Sequence, residues 1–383
     1  MSKIEDLIKQ YCPDGVEWKR LGDLVSYEQP SKYIVKSTNY SDEYEVPVLT
    51  AGQSFVLGYT NEHDDIYNAS PNNPVIIFDD FTGAFHWVDF PFKVKSSAMK
   101  MLRVGCNDTT LRYVYHVMRN IGYTSDEHKR LWISLYSNFQ IPVPHIAVQD
   151  EIVRILDKFT ELEKELEKEL ELRRKQYEFY RDKLLTFGDD VEYKTIRDVC
   201  LKIVSGGTPK SSRADYYGGN HPWLRTQEVN FNQIDETSRT ITDDGLNNSS
   251  AQYIPVWSVI VAMYGATVGR VAYNSIPLTT NQACCNLIID DKKVTYKYVF
   301  YWLSSQYEYI KSLGCGSQTN INADTVKNLE IPVPSPTEQA RIVKILDKFD
   351  TLTTSLTSGL PAEIKLRKQQ YEYYRDYLFG LLN

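Results

Sequence analysis

The sequence predicts an α+β protein in which two repeated β-rich domains are separated by two long helices packed as an antiparallel coiled coil. Three observations carry that expectation. The segment that begins IPVP at Ile141 returns at Ile331, and LDKF at Leu156 returns at Leu346, each at an offset of 190 residues (331 − 141; 346 − 156). Ahead of each copy lie short apolar runs divided by Gly, Asn, Asp and Pro, the rhythm of a small β-rich domain. Behind each IPVP, apolar residues recur at steps of three and four, the spacing of a coiled-coil seam.

At 383 residues the chain exceeds what one hydrophobic core serves. Residues 1–14 read as a short helical lead-in. VEWKRLGDLVS (16–26) opens the first domain and VEYKTIRDVCL (191–201) the second, 175 residues apart (191 − 16), so the repeat covers domain as well as helix. In the first domain the strand candidates are VPVLTA (46–51), PVIIF (74–78), HWVDF (86–90) and KMLRV (100–104). In the second they are WLRT (223–226), SVIVAMYG (258–265), GRVAYN (269–274) and CNLIID (285–290). Each domain then offers one good helix, LRYVYHVMRNI (111–121) and YKYVFYWLSSQYEYI (296–310). The expected division is 1–140 and 189–330 for the domains, with 141–188 and 331–383 as helical spacers.

The prolines of IPVP hold the chain extended, so each long helix starts beyond Pro144 or Pro334. In the first, Leu162, Leu166, Leu170, Arg173, Tyr177, Tyr180, Leu184 and Phe187 form the expected seam. About 38 residues at 1.5 Å each make a rod of roughly 57 Å, which needs a partner helix. The Glu/Lys run 161–171 reads as a solvated face with i,i+4 pairs. In the second copy Gly359 and Pro361 break the regular helix and absorb an insertion of four residues, since Tyr177 matches Tyr371 at an offset of 194.

Composition excludes several classes of function. No apolar run approaches the ~20 residues of a membrane span, and the start lacks the apolar core of a signal peptide, so a cytoplasmic protein is expected with no membrane partner. Six cysteines show no C-x-x-C pair, which argues against zinc. The formal charge is −7, and residues 1–140 carry 14 Lys+Arg against 18 Asp+Glu. Any nucleic-acid contact must therefore rest on local clusters, or on a partner that neutralises phosphate.

No catalytic motif stands out. There is no G-x-G-x-x-G, P-loop or H-E-x-x-H, and no [ND]PP[YF] tetrapeptide of the kind amino-methyltransferases use. Pro13, Asp14, Glu17 and Lys19, echoed by Asp190, Glu192 and Lys194, superficially spell a metal-nuclease signature. Such a site gathers acidic residues from separate strands round a divalent ion, whereas these sit within seven residues and read as one alternating surface strand. His86 and His221 read as packing or surface residues. The expectation is no catalytic residue, no metal site and no cofactor in this chain.

Several further stretches then fall into order: VPVLTAGQSFVLGYT (46–60), FDDFTGAFHWVDFPFKVKSSAMKML (78–102), HKRLW (128–132), SGGTPKSS (205–212), PWLRTQEV (222–229), GATVGRVAYN (265–274), TTNQACCNLI (279–288), EQARIVKILDKF (338–349) and LRKQQYEYYRDYL (366–378). Over essentially the whole chain, their sequence resembles the specificity (S) subunit of type I restriction-modification systems. The resemblance implies that each β-rich domain is a target-recognition domain reading one half of a bipartite site on double-stranded DNA. It implies that the paired helices set the spacing and dock two methyltransferase (M) subunits, with restriction-translocation (R) subunits joining that assembly. S-adenosylmethionine, ATP and Mg then belong to the partner subunits. One turn of DNA is about 34–36 Å, which the rod can span.

Donors and acceptors suited to base edges or phosphate then mark the candidate DNA-binding residues. In the first domain they are Gln53, Ser54, Tyr59, Thr82, Lys93, Lys95, Ser96, Ser97, His128, Lys129 and Arg130. In the second they are Thr208, Lys210, Arg225, Tyr264, Thr267, Arg270, Asn281, Gln282, Ser317, Gln318, Thr319 and Asn320. The lysines suit phosphate better than bases, while Asn281 and Gln282 could equally cap a turn, and Ser96 and Ser97 could be structural hydroxyls. At the 190-residue offset His128, Lys129 and Arg130 fall on Gln318, Thr319 and Asn320, so matching loops carry different donors and should read different half-sites.

Overall fold

The computed structural model describes residues 3–52, 54–123, 130–188, 190–314, 320–355 and 357–383. The chain forms two compact units, Met1–Glu167 with Glu363–Asn383, and Lys168–Ala362. Both are mixtures of helix and sheet, as the sequence predicts for an α+β chain. No helix among the described residues is long and apolar enough to cross a membrane.

In the first unit the lead-in is helix α1 (Lys3–Tyr11), followed by β1 (Glu17–Arg20), α2 (Leu21–Leu24) and β2 (Val25–Glu28). Strands β3 (Val46–Leu49), β4 (Val56–Thr60), β5 (Val75–Asp79), β6 (Phe85–Val88), β7 (Lys93–Val94) and β8 (Met99–Val104) follow. Then come α3 (Leu111–Ile121), α4 (Leu131–Ser134), β9 (Gln140–Val143) and the long α5 (Ile146–Leu184). The strands make a four-stranded sheet β2-β8-β5-β6, a three-stranded sheet β4-β3-β7 and the pair β1-β9. β5 sits between β6 and β8, and its residues Val75, Ile76, Ile77 and Phe78 are fully buried, because both faces of that sheet are covered. One face meets α3, whose Tyr113, Val114, Val117 and Met118 are buried beside it. The other meets the core shared with β3 and β7, around Leu49, Phe92 and Val94.

The second unit repeats this plan with β10 (Tyr193–Thr195), β11 (Cys200–Ser205), β12 (Tyr217–Leu224), β13 (Asn232–Ile234) and β14 (Thr240–Ile241). After α6 (Asp243–Asn247) come β15 (Tyr253–Ile254), β16 (Val259–Ala262), β17 (Val271–Asn274), β18 (Leu278–Thr280) and β19 (Cys284–Ile289). Helices α7 (Tyr296–Ser305), α8 (Tyr307–Ser312) and α9 (Ala323–Lys327), strand β20 (Glu330–Pro332) and helix α10 (Pro336–Thr354) complete it, before α11 (Leu360–Gly380). Its sheets are β11-β19-β16-β17-β13, β14-β12-β18-β15 and the pair β10-β20. The order β11-β19-β16-β17 matches β2-β8-β5-β6 strand for strand.

The capping chemistry repeats as well. Thr110 accepts a hydrogen bond from Tyr113 N to start α3, and Thr295 accepts one from Tyr298 N to start α7. The two tyrosine hydroxyls then donate to Pro142 O and Pro332 O, at 2.9 and 3.0 Å. IPVP does more than delay the helix. Its first residues form β9 and β20, which pair antiparallel with the opening strands β1 and β10, so each domain's entrance is stitched to its exit. Pro is tolerated there because a two-stranded ribbon is all edge.

From Leu162 to Leu184 the expected seam lies on the half-buried face of α5, with Tyr180 the exception at 38% exposed and Phe187 beyond the helix end, while most of the Glu/Lys run is solvated. Within the first unit Phe159 stacks on Tyr374, 5.1 Å between centroids, and Lys368 reaches Glu163 and Glu167 at 3.3 and 3.1 Å. Higher numbers on α5 thus meet lower numbers on α11, so the two run in opposite directions. In the second unit Tyr177 and Tyr180 pack on Phe349 of α10, at 6.3 and 5.7 Å. The second helical copy is interrupted between Thr354 and Leu360, as Gly359 and Pro361 require.

Candidate nucleic-acid interface

Each unit gathers three distant segments at one edge, and the same hydrogen bonds do it. In the first unit Lys95 N donates to Leu49 O, Asp80 N to Ala98 O and Leu131 N to Asp80 O, at 3.1, 2.9 and 2.7 Å. In the second, Asn281 N donates to Leu224 O, Met263 N to Ala283 O and Ile321 N to Met263 O, at 2.9, 2.8 and 3.0 Å. Lys95 therefore answers to Asn281, Asp80 to Met263 and Arg130 to Asn320. Backbone bonds fix the frame, and the side chains on it are free to differ.

On the first frame, Ser54 closes a turn in which Thr50 Oγ1 donates to Ser54 O at 2.7 Å, and His86, stacked on Phe55, lies 3.1 Å from Gly52 O. Lys95, Ser96 and Ser97 are exposed on the neighbouring segment, with Lys95 Nζ over the Tyr40 ring at 5.7 Å. Ser96 Oγ accepts from Ala98 N at 3.4 Å, so its hydroxyl also has the structural use open to it from sequence. Thr82, at the tip of the β5–β6 hairpin, and Arg130 are exposed beside them. Tyr59 is half-buried opposite Pro47, at the far end of the β3–β4 ladder.

The second frame is more polar. Thr208 donates to Gln282 Oε1, and the glycines before it lie so close to the backbone of Thr280, Asn281 and Ala251 that a Cβ at either would collide with it. Arg225 N donates to Glu228 Oε1 at 3.1 Å and its Nη2 to Ser238 Oγ at 3.2 Å, while Glu228 Oε2 accepts from Ser238 N at 2.7 Å. Arg270 Nη1 donates to Asn230 Oδ1 at 2.7 Å. Asn320 Oδ1 accepts from Gly265 N at 3.4 Å, next to the exposed Tyr264. Asn281 Oδ1 accepts from Cys284 Sγ at 3.2 Å beside the backbone turn in which Cys284 N donates to Asn281 O at 3.1 Å, and Lys210 and Gln282 are exposed.

Two candidates need correction. Lys93 is 1% exposed, its Nζ donating to Asp64 O at 2.8 Å and paired with Glu62 at 3.2 Å, so its ammonium is committed inside the domain. The Thr267 side chain is buried and donates to Thr226 O at 2.9 Å. Gln53, His128, Lys129, Ser317, Gln318 and Thr319 lie outside the described residues. Sequence reasoning missed Asp80, Glu228 and Asn230, which hold the candidates in place. Their only signal is position, since each lies within a few residues of a candidate.

A second repeated feature fixes each domain helix to a long helix by a carboxylate. Asp157 of α5 accepts from Arg112 Nε and lies against His116 Nε2, both at 2.7 Å, while Tyr371 Oη lies 3.1 Å from His116 Nδ1. Asp347 of α10 instead meets Lys297 Nζ and Tyr301 Oη, both at 2.7 Å. Burial pushes the fully buried His116 below its ordinary value, against the opposing pull of Asp157. Burial would raise the Asp157 carboxyl, but His116 and Arg112 together outweigh it and hold it below the usual range.

No group of three or more His, Cys, Asp or Glu among the described residues could hold a metal ion. The duplicated frame has a counterpart among known proteins: the model of the type I restriction modification DNA specificity domain matches twice, over residues 13–172 and 188–366. The chain belongs to the type I restriction-modification specificity family. It is 45% identical to the type I restriction enzyme EcoR124I/EcoR124II specificity subunit of Escherichia coli, over 99% of this chain and 97% of that one. The S subunit of a type I system from M. genitalium shares the fold with a TM-score of 0.56 at 14% identity, covering 96% of both chains. A type I system chain solved in work on complex assembly and conformational transition does so at 0.57 and 16%, over 96% of this chain and 98% of that one. Membership makes this chain a non-catalytic subunit that recognises DNA sequence.

Proposed function

We propose that the two edges read the two halves of a bipartite duplex target, with domains at 1–140 and 189–330 as the readers. The observation that carries this is the common frame bearing different donors: Lys95 against Asn281, Arg130 against Asn320, and Thr50 against Arg225, the residues that follow Leu49 and Leu224. Lys, Arg and Asn suit different base edges. One geometry with two sets of side chains is what two different half-sites demand. The readers we assign are Gln53, Ser54, Thr82, Ser96, Ser97, His128, Lys129 and Arg130 with Lys95, and in the second domain Thr208, Lys210, Arg225, Tyr264, Arg270, Gln282, Ser317, Gln318 and Thr319 with Asn281 and Asn320.

Segments 141–188 and 331–383 act as an antiparallel coiled-coil spacer that sets the separation of the readers and docks two methyltransferase subunits. The exposed repeats support this. Leu172 and Leu366 are 56% and 59% exposed, and Phe179 and Tyr373 61% and 67%, each pair at the 194-residue offset (366 − 172; 373 − 179). Positions seven apart share a helix face, so the same apolar stripe is offered twice, as two copies of one partner would use it. Restriction-translocation subunits join the same assembly. S-adenosylmethionine, ATP and Mg serve those partners, and the cytoplasm is the site of action.

Exchange of residues 1–140 for the first domain of another family member tests the modular reading. Modified-base mapping should show one half of the target changed and the other kept. An unchanged target, or one altered in both halves, refutes it.

A further inference from the structure

Asp80 and Lys100 form a buried ion pair, 3% and 1% exposed, with Asp80 Oδ2 3.3 Å from Lys100 Nζ and the ammonium 4.1 Å above the Tyr27 ring. Removing both charges from water is costly, and an apolar pair of similar size often serves stability as well or better. The second unit illustrates that alternative. Strand registers put Cys285 where Lys100 stands and the backbone bonds put Met263 where Asp80 stands, both fully enclosed and both apolar. The backbone frame therefore forms in the second unit without such a pair.

What Met263 lacks is a side-chain acceptor. Asp80 Oδ1 accepts from Trp132 N at 2.9 Å, in addition to the bond from Leu131 N to Asp80 O. Asp80 thus grips two successive amides just after Arg130, while its own N–H holds the turn that carries Ser96 and Ser97. Lys100 holds the carboxylate in place from beneath.

We propose that the Asp80–Lys100 pair is a positioning clamp for sequence reading by the first domain, holding Arg130 and the Ser96–Ser97 turn in one fixed relation. This rests on the assignment of that edge as a DNA reader. A side chain that discriminates bases must be held more tightly than one that merely touches phosphate. The clamp supplies that hold where the second unit uses an Asn320 side chain instead.

The test replaces the clamp with the second unit's own residues, Asp80→Met with Lys100→Cys, in the chain assembled with its methyltransferase partner. Binding is measured to duplexes carrying single base changes in either half of the mapped target, alongside thermal unfolding and an Arg130→Ala variant. The double variant loses the acceptor for Trp132 N and should unfold slightly earlier than the parent, while losing about tenfold in discrimination at the first half-site, with the second half-site unchanged. Parental discrimination in the double variant, with Arg130→Ala relaxed, overturns the clamp alone. If Arg130→Ala also leaves the first half-site unaffected, the reading of this edge falls and the clamp with it. Equal losses at both half-sites assign the pair a merely structural role and overturn the proposal. Should the double variant fail to assemble, Asp80→Asn with Lys100→Met, which keeps an acceptor for Trp132 N without a buried charge but removes its tether, must relax the first half-site, and parental discrimination there overturns the proposal.

Discussion

Replacing His116 should separate the chemistry of the two helix junctions. In the first, the neutral ring is used fully: Nε2–H donates to Asp157 and Nδ1 accepts from the Tyr371 hydroxyl. His116→Ala removes a hydrogen bond to a charged group, about 1.5–3 kcal/mol, and one to a neutral hydroxyl, about 1 kcal/mol. Asp157 keeps Arg112 and is 38% exposed, so it is not stranded, which favours the low end. With the cavity included, a loss of about 3 kcal/mol is expected. His116→Tyr should cost about 1 kcal/mol or less, because Tyr301 already donates to Asp347 from the matching place. Acidification distinguishes the pair further. Protonated His116 would present a proton to a hydroxyl that now donates to it, with Arg112 and Arg119 nearby, and its folded value lies below the ordinary 6.5. Its contribution is complete above pH 6.5 and is lost as pH falls below it, at about 1.4 kcal/mol per pH unit until the folded value is reached. The Asp157 contribution is lost in the same direction, but only below its ordinary 3.8. Hydrogen exchange at α3 from pH 8 to pH 5.5 should therefore show protection falling in the parent and less so in His116→Tyr. Identical pH slopes, or a cost below about 0.5 kcal/mol for His116→Ala, would refute the reasoning.

Arg225→Ala should weaken discrimination at one base pair of the second half-site by about 1–3 kcal/mol, the range of a bidentate contact, as measured by competition between single-base variants. A uniform loss across sequences would instead mark Arg225 as a phosphate contact. Leu172→Glu with Phe179→Glu should lower the number of methyltransferase subunits bound from two to one in native mass spectrometry, since the matching stripe at Leu366 and Tyr373 is left intact. Two bound subunits in that variant would remove the stripe from the docking surface.

Much of the fold was legible because it is local and periodic. The bounds of α3 coincide with the run LRYVYHVMRNI, and the interruption before α11 falls where Gly359 and Pro361 put it. The pairing of β1 with β9 was not legible, since two four-residue strands more than a hundred residues apart carry no mark of each other. The two-residue β7 is too short for a periodic signal. Helix α7 ends at Ser305 within a run that reads as one helix, because Gln306 takes a conformation outside it. For the candidate surface, the decisive unknown was which lysines stay outside. Lys93 and Lys100 look like any cations between apolar neighbours, and their partners Glu62 and Asp80 come from elsewhere in the chain. Burial of a Lys is set by whether a carboxylate arrives to meet it, which only the tertiary structure decides.

The two halves of the chain sort their residues by what each must meet. Where both meet the same thing, the residues agree: Gln149 and Gln339 each donate to the last carbonyl of an IPVP, at 2.8 and 3.0 Å, and the exposed Leu–aromatic stripes recur. Where each meets something of its own, only the backbone agrees, as at Lys95 and Asn281 or Arg130 and Asn320. Duplicated structure with diverged side chains at one edge and shared side chains along the helices is what a subunit needs if it reads two different sequences for two identical partners. The buried Asp80–Lys100 pair belongs to the first class by position and to the second by chemistry, so its purpose is sought in reading rather than in folding.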